Sequence, residues 1–287
     1  MNKVWMITGA GRGLGREFAE EAVRNGDKVV ATLRKKSEEA FFNSENVLQV
    51  LADVTDRDAV ASAVRSGYEH FGRIDVLVNN AGYGMVQAFE EMSEDDLRGI
   101  METNFFGMVN VTREVLPIMR EKRSGVILNL SSVAGAIGML GSTGYCAAKF
   151  AVTGFSEALN EEVKEFGISV SAVMPGPFRT DFRDPSSMKK GSLSISDYQD
   201  SEARKLKERI DSLNHMQEGD PAKAAAFIYK MVDRGSIPTR LLLGNSCISA
   251  VGEMLKHWSE EIDTYSSESC ATGISGYIIG RKLIRRS

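Results

Sequence analysis

Seven short apolar runs alternate with longer amphipathic stretches along most of this 287-residue chain. Several runs are apolar at consecutive positions, which is the pattern of strands covered on both faces. Strands that alternate with helices need right-handed crossovers and so form a parallel sheet. We predict an α/β fold, a single-domain doubly wound (Rossmann) parallel sheet with helices on both faces. The predicted strands are Val4–Ile7, Lys28–Thr32, Val47–Leu51, Val76–Val78, Gly125–Leu130, Ser169–Val173 and Leu241–Leu243.

No linker, repeat or low-complexity tract divides the chain, so residues 1–287 are expected to form one domain. Residues 178–219 are polar, serine-rich and without a strand pattern, and we predict a helical flap over a substrate pocket. Residues 245–287 form a C-terminal extension. Its basic end reads as a solvated chain terminus rather than a binding patch. The predicted helices are Gly13–Asn25, Asp56–Phe71, Glu94–Met119, Gly144–Phe166 and Pro221–Asp233, and the basic end consists of Arg281, Lys282, Arg285 and Arg286.

Composition argues against several classes of function. The formal net charge of −4 is small and both signs are interspersed, so we expect no binding to nucleic acid or to a membrane surface. No apolar run approaches the roughly 20 residues of a membrane span, and the first strand begins too early to leave room for a signal peptide. We therefore expect a cytoplasmic protein. Three scattered cysteines and three histidines without ligand spacing predict no disulfide framework and no metal site.

The first strand runs directly into a glycine-rich turn, and a helix follows. Glycines let the backbone approach a pyrophosphate, which then lies at the positive end of the helix. A flexible loop is the alternative, but the order strand, glycines, helix is the setting of a dinucleotide site. The spacing is T-G-x-x-x-G-x-G rather than G-x-G-x-x-G. The candidate cofactor contacts in this turn are Thr8, Gly9, Gly11, Arg12, Gly13, Leu14 and Gly15.

This glycine spacing resembles that of the short-chain dehydrogenase/reductase family, and further motifs follow in the family's order over residues 3–180. Asp53-Val54 follows the third strand, where the resemblance implies a contact with adenine. Residues 79–82 resemble the family's N-N-A-G turn, and residues 175–180 resemble its segment beside the nicotinamide, although prolines also simply end strands. The implied cofactor contacts are Asp53, Val54, Asn80, Ala81, Gly82, Tyr145, Lys149, Pro175, Gly176 and Thr180.

The choice between the two nicotinamide cofactors depends on the end of the second strand. Leu33 stands where NAD-preferring members of the family usually carry an aspartate that binds the 2′-hydroxyl of adenosine. Arg34 and Arg12 occupy the two places where NADP-preferring members often carry a cation, and a guanidinium pairs well with a phosphate dianion. If both arginines are ordinary surface charges, NAD(H) is the alternative. We predict a preference for NADP(H).

Tyr145 and Lys149 are four residues apart, on one face of a predicted helix. A nearby ammonium, helped by the positive charge of an oxidised nicotinamide, is expected to lower the pKa of the phenol from about 10. The pair alone also fits a surface tyrosine beside a solvated lysine. Ser132 precedes Tyr145 by thirteen residues, the spacing of the family's catalytic serine, and can donate to the same substrate oxygen. Ser131 is the other candidate, but it would point to the opposite side of the strand.

Asn104 matches an asparagine that the family carries inside a helix, and the resemblance implies that it holds a water linking Lys149 to solvent. Asparagine is locally unfavourable in a helix, which favours a functional role, and simple packing is the alternative. The resemblance therefore implies four catalytic residues: Asn104, Ser132, Tyr145 and Lys149.

These patterns predict an oxidoreductase that prefers NADP(H) and transfers a hydride between the nicotinamide and a carbonyl or secondary alcohol, with Tyr145 as acid/base. A non-catalytic dinucleotide-binding regulator is disfavoured because both Tyr145 and Lys149 are present. A lyase or epimerase of the same fold is disfavoured by the glycine spacing.

The candidate pocket residues favour a hydrophobic substrate. They are Tyr83, Met85, Gly138 to Leu140 and the flap. Residues 238–245 resemble a bacterial branch related to 17β-hydroxysteroid dehydrogenases, which does not imply a steroid substrate. The resemblance also implies a homodimer or a homotetramer, paired through the helices predicted at 94–119 and 144–166, and leaves both states open.

Overall fold

All the strands predicted from apolar runs lie in one parallel sheet. The computed structural model describes residues 2–191 and 194–273, so the basic end of the C-terminal extension lies outside the described residues. The strands are β1 (Val4–Thr8), β2 (Lys28–Leu33), β3 (Val47–Leu51), β4 (Val76–Asn79), β5 (Gly84–Val86), β6 (Gly125–Leu130), β7 (Ile168–Pro175), β8 (Met188–Lys190) and β9 (Arg240–Leu243). Seven of them run in the order β3-β2-β1-β4-β6-β7-β9, and β5 and β8 form a separate parallel pair.

Helices cover both faces of the sheet, which confirms the doubly wound fold. The helices are α1 (Gly13–Arg24), α2 (Arg57–Phe71), α3 (Glu94–Met101), α4 (Gly107–Lys122), α5 (Thr143–Val163), α6 (Glu202–Ser212), α7 (Pro221–Asp233) and α8 (Asn245–Cys270). Alternate residues of β1 point to opposite faces of the sheet. Trp5 therefore packs in the cluster beneath α1 and α7, while Met6 packs beneath α2, α4 and α5. Within the described ranges, no helix is both long and apolar enough to cross a bilayer.

The single helix predicted over Glu94–Met119 is wrong. A π-helical turn at Glu102–Phe106 separates α3 from α4, and Asn104 lies inside it. A π-helical turn accommodates an extra residue and is frequent at functional sites. The sequence pattern does not show the turn, since the chain is helical on both sides of it. At its end Gly107 packs so closely on Val54 that an added Cβ would lie 2.5 Å from Val54 Cγ2.

The flap contains a strand that the sequence pattern did not predict. In it, β8 pairs with β5 in parallel, with Gly84 opposite Met188 and Val86 opposite Lys190. Three-residue strands are too short for a period-2 pattern to show, which explains why the strand was missed. The helical part of the prediction corresponds to α6 and to short 3-10 turns on either side of β8.

Buried side-chain amides join the middle of the sheet to its covering helices. Asn79 Nδ2 donates to Asn129 Oδ1 (2.8 Å) and to Thr112 Oγ1 (2.9 Å), and Asn129 Nδ2 donates to Ser156 Oγ (2.9 Å). Asn129 is fully buried, so these groups have no water to replace a lost partner. The amides therefore hold the ends of β4 and β6 at a set distance from α4 and α5.

We predict that Asn129→Ala lowers the free energy of unfolding by about 2–3 kcal/mol, because it leaves buried polar partners unsatisfied. Urea denaturation followed by circular dichroism measures the change. Asn25→Ala is the control, since Asn25 bonds to Glu21 at an exposed helix end; it should change stability by less than about 0.5 kcal/mol. Equal losses in the two variants would contradict the proposed importance of the buried amides.

Candidate active site

A cleft of about 1070 Å3 opens at the carboxyl edge of the parallel strands. Strand ends, the glycine turn, α5 and the flap all contribute to its wall, as expected where ligands bind in doubly wound sheets. The structure brings most of the predicted site residues together there. Those that line the cleft are Gly9, Gly11, Arg12, Gly13, Leu14, Arg34, Asp53, Val54, Asn80, Ala81, Gly82, Ser132, Tyr145, Lys149, Pro175, Gly176 and Thr180.

Three predicted site residues, Thr8, Gly15 and Asn104, lie behind the cleft wall instead. Thr8 Oγ1 accepts hydrogen bonds from the backbone N–H groups of Asn80 (2.9 Å) and Ala81 (3.0 Å). Gly15 packs against the Asn80 amide so tightly that any side chain would clash with it. Thr8 and Gly15, predicted as cofactor contacts, therefore hold the N-N-A-G turn against the glycine turn.

The glycine turn leaves room for a dinucleotide. Gly9 and Gly13 have φ values of +64° and +56°, which L-residues with side chains rarely adopt. A Cβ on Gly9 would lie 3.1 Å from Ala81 Cα. No side-chain group caps the first turn of α1, so its N–H groups remain available to an anion. This turn fits the diphosphate of a dinucleotide cofactor.

Lys149 lies buried under the cleft, with only 5% of its surface exposed. Its ammonium donates to the backbone carbonyl of Leu130 (2.7 Å) and lies 5.7 Å from the centre of the Tyr145 ring. Burial disfavours the charged form and lowers the pKa of Lys149 to about 8. The hydroxyl of Ser132 lies near enough to that of Tyr145 to lower the pKa of the phenol. Serine, tyrosine and lysine thus form one group at the inner wall of the cleft.

Residues 3–191 match the family model described as short chain dehydrogenase. The chain belongs to the short-chain dehydrogenase family. It is therefore an enzyme, an NAD(P)-dependent dehydrogenase/reductase acting on alcohol or carbonyl groups. The further resemblance to a 17β-hydroxysteroid-dehydrogenase branch stays a prediction.

Similar proteins cover nearly the whole of this short-chain dehydrogenase. Oxidoreductase BOA17 of Botryotinia fuckeliana is 39% identical over 95% of the chain and 100% of its own length. A 3-ketodihydrosphingosine reductase of Bacteroides thetaiotaomicron is 40% identical over 84% of the chain and 88% of its own length. The crystal structure of a short-chain dehydrogenase from Streptomyces avermitilis superposes with a TM-score of 0.87 at 35% identity, covering 96% of this chain and all of that one.

The pKa of Tyr145 departs from expectation. Burial raises the pKa of its phenol to about 12, more than the hydrogen bond from Ser132 lowers it. The sequence predicted the opposite direction, with Lys149 pulling the pKa down. Burial is the largest cause of the shift at Tyr145, and burial also disfavours the charged form of Lys149. Tyr145 is consequently a neutral phenol near pH 7, the form that donates a proton.

The two adjacent serines have different surroundings. The hydroxyl of Ser131 donates to the backbone carbonyl of Lys149 (3.0 Å) and lies 2.8 Å from Thr153 Oγ1, so it is engaged between β6 and α5. Ser132 Oγ accepts from the backbone of Ala134 (3.1 Å) and contacts Tyr145. This arrangement favours Ser132 over Ser131 as the serine of the site.

Asn104, inside the π-helical turn, holds the backbone of the cleft residue Tyr83 in place. Its amide donates to the carbonyl of Tyr83 (2.8 Å) and accepts from the N–H of the same residue (2.9 Å). A Cβ on Gly82 would lie 2.7 Å from Asn104 Oδ1, so the neighbouring turn needs glycine there. Asn104 therefore positions the chain after the N-N-A-G turn, and its water-holding role stays a prediction.

The flap contributes cleft residues that sequence reasoning did not name. The ring of Phe182 lies 6.1 Å from that of Tyr145, and the ammonium of Lys189 lies 4.9 Å above the ring of Tyr83. Arg183 and Met188 also line this side of the cleft. Of the predicted substrate-pocket residues outside the flap, Tyr83 lines the cleft, whereas Met85 is buried in β5 and Gly138 to Leu140 lie outside it. No motif marks the flap residues, because the segment has neither periodicity nor a glycine signature.

Two sets of contacts hold the flap over the cleft. Arg12 in the glycine turn donates to the hydroxyl (2.6 Å) and carbonyl (2.9 Å) of Ser186. On the other side, the buried carboxylate of Glu91 accepts from the backbone of Ile195 (3.0 Å) and from Arg204 (2.9 Å). These hydrogen bonds lower the pKa of Glu91, and its anchoring is expected to weaken only in acid.

We predict a distinctive pH dependence of stability for Lys149→Met. The pKa of Lys149 is about 8 in the folded protein and 10.5 in an unperturbed lysine. Between pH 8 and pH 10.5, the unfolded chain therefore holds a proton on Lys149 that the folded chain has lost. The stability of the wild type relative to Lys149→Met should therefore rise by roughly 3 kcal/mol from pH 7.5 to 10.5. Urea denaturation at both pH values measures it.

The matched control is Lys256→Met, whose side chain is 79% exposed. Its stability relative to the wild type should stay nearly constant over the same pH range. The titration of Tyr145 occurs in every variant and cancels in the comparison. A constant difference for Lys149→Met would show that folding does not lower the pKa of Lys149.

Proposed function

We propose that this short-chain dehydrogenase is an NADP(H)-preferring carbonyl reductase in which Tyr145 is the acid/base. The observation that carries the proposal is that Ser132, Tyr145 and Lys149 line the same cleft, with the ammonium of Lys149 5.7 Å from the centre of the Tyr145 ring. A phenol that stays neutral near pH 7 supports the direction of carbonyl reduction, in which the enzyme must supply a proton.

Each residue has a separate task in this mechanism. The nicotinamide cofactor, when bound, supplies the hydride for the carbonyl carbon. Tyr145 donates its hydroxyl proton to the carbonyl oxygen as negative charge develops there, and the Ser132 hydroxyl donates a hydrogen bond to the same oxygen. Lys149 stabilises the phenolate that remains, because its ammonium lies within 5.7 Å of the ring centre. Asn104 positions the turn at Tyr83.

The surroundings of β2 support the preference for NADP(H). The strand ends at Leu33, which is 5% exposed and offers no carboxylate to repel a 2′-phosphate. Arg34 follows it, is exposed and lines the cleft. Arg12 also lines the cleft, but its guanidinium is bonded to Ser186. Arg34 is therefore the residue we assign to the 2′-phosphate.

The lining of the flap side supports an apolar carbonyl substrate. Tyr83, Phe182 and Met188 line the cleft with aromatic and thioether groups, and the ring of Phe182 lies 6.1 Å from that of Tyr145. The relative named 3-ketodihydrosphingosine reductase is by its name a reductase of a keto compound, which agrees with this reaction type. We also propose assembly as a homodimer or homotetramer through α4 and α5. Exposed Phe106, directly before α4, and exposed Phe150 in α5 support an interface.

We expect Tyr145→Phe to lose turnover by about 100-fold or more while binding NADPH as the wild type does, because only the proton donor is removed. Initial rates with a panel of ketones and aldehydes measure turnover, and NADPH fluorescence measures binding. Tyr68→Phe is the control, since Tyr68 is exposed and lies near the end of α2. Retained turnover in Tyr145→Phe, with any substrate of the panel, would reject Tyr145 as the acid/base.

We expect Arg34→Ala to raise KM for NADPH about 10-fold and to leave KM for NADH unchanged, because one charged hydrogen-bonding partner of the 2′-phosphate is lost. Comparing kcat/KM for both cofactors provides the test. Lys36→Ala serves as control, since Lys36 is exposed and pairs with Glu38 at 3.5 Å. An equal effect of Arg34→Ala on both cofactors, or a wild type that prefers NADH, would overturn the assignment.

A further inference from the structure

Two cations of the flap line the cleft, and the mechanism above gives neither of them a task. The residues that precede them pack on the same glycine, since a Cβ on Gly84 would lie 3.2 Å from Phe182 Cε1 and 3.0 Å from Met188 Cε. Arg183 directly follows Phe182. Lys189 directly follows Met188, and both cations line the cleft. The flap therefore brings two positive side chains to the part of the cleft wall that packs on Gly84.

The guanidinium of Arg183 has no counter-charge in the part of the chain that the structure describes. Its side chain is half-buried, and this burial lowers the pKa of the guanidinium, with no carboxylate acting against the shift. The carboxylate of the next residue, Asp184, is bonded to Asn214 (2.6 Å) and His215 (3.2 Å). Burial of a cation costs free energy unless an opposite charge compensates it. An anionic ligand in the cleft would supply that charge.

The ammonium of Lys189 is held over an aromatic ring and not by a carboxylate. It lies 4.9 Å from the centre of the Tyr83 ring, and no carboxylate among the described residues forms an ion pair with it. The backbone of Tyr83 is itself fixed by Asn104, at both its N–H and its carbonyl. Contact with a ring face does not neutralise the ammonium, so Lys189 can still bind an anion.

The surroundings of Lys189 place it at the substrate end of the cleft. The diphosphate of a cofactor fits the glycine turn, which Thr180 and Ser186 of the flap approach. The ring beneath Lys189 belongs to Tyr83, the residue after the N-N-A-G turn. A Cβ on the last glycine of that turn would lie 3.8 Å from the ammonium of Lys149. Lys189 is therefore on the side of Lys149, where the reacting carbonyl is expected.

We propose that the substrate of this enzyme carries an anionic group, a carboxylate or a phosphate, which Lys189 and Arg183 bind while its carbonyl group faces Tyr145. The ring of Phe182 and the thioether of Met188 contact the apolar part of the same molecule. This inference rests on the carbonyl reduction proposed above and adds the class of substrate, an apolar keto compound with an acidic end.

A substrate with a basic end would find less compensation in this cleft. Among the described residues of the flap, Asp181 is the one carboxylate that lines the cleft. An amine would therefore meet one opposite charge and the two like charges of Arg183 and Lys189. An anion gains charge-assisted hydrogen bonds from both an ammonium and a guanidinium, which are stronger than bonds between neutral groups. The balance of charge thus favours an acidic end.

The test compares substrates that differ only in the charge of one end. Straight-chain methyl ketones of increasing length carry at the other end a carboxylate, a phosphate monoester, a methyl ester or a primary amine. Initial rates with NADPH give kcat/KM for each compound. At the best length, the wild type should prefer one of the anionic ketones to the methyl ester by about 100-fold, mainly through a lower KM. The carboxylate and phosphate series show which of the two anions is bound.

Lys189→Met and Arg183→Met each remove one charge and approximately keep the length of the side chain. In either variant, the ratio of kcat/KM for the anionic ketone to that for its ester should fall about 10-fold. This ratio cancels any change in the basal rate. Lys205→Met is the matched control, because Lys205 lies on α6 of the same flap, outside the cleft lining, and pairs with Glu202 at 2.8 Å. Its ratio should stay that of the wild type.

A binding measurement tests the inference even if no ketone is reduced, a result that would reject the reductase function. Calorimetric titration of the enzyme with bound NADP+ should show tighter binding of the anionic ketones than of their esters. Lys189→Met should reduce that difference. Equal affinity and equal kcat/KM for anionic ketones and esters, or a preference for the amines, would overturn the proposal. It would equally be overturned by an Arg183→Met variant that raises KM for NADPH and keeps the wild-type ratio.

Discussion

The attachment of α5 to the end of β6 is the constraint on which the site depends. Three consecutive residues of β6 and its extension bond to this helix: Asn129 donates to Ser156, the carbonyl of Leu130 accepts from the ammonium of Lys149, and Ser131 donates to the carbonyl of Lys149. The next residue, Ser132, then reaches the cleft and meets Tyr145. The serine and tyrosine come together because strand and helix are joined just below them.

At the cofactor end of the cleft, hydrogen bonds likewise join two parts of the chain, the glycine turn and the N-N-A-G turn. Thr8 binds the N-N-A-G turn through its hydroxyl, and Asn80 donates back to the carbonyls of Thr8 and Gly9. The two turns are thereby fixed to each other. The flap is then tied to this wall through Arg12 and Ser186, so the cofactor turn and the substrate side are mechanically connected.

How much of the fold and of the site could be predicted from the sequence depends on how far apart along the chain the interacting residues lie. Strand runs such as Val4–Ile7 and the order of the motifs were readable because burial on both faces of a parallel sheet demands apolar residues in sequence. The π-helical turn around Asn104 was not, because the chain is helical on both sides of it. Phe182, Arg183 and Lys189 reach the cleft through pairing of β8 with β5, a contact between segments about 100 residues apart.

The sequence by itself determined the family, the parallel sheet and the identity of the residues at its carboxyl edge, because these follow from local composition and from spacing along the chain. Only the tertiary structure decided what surrounds them. Tyr145 and Lys149 are one helical turn apart in any helix, but the direction of their pKa shifts follows from how much water the assembled cleft excludes.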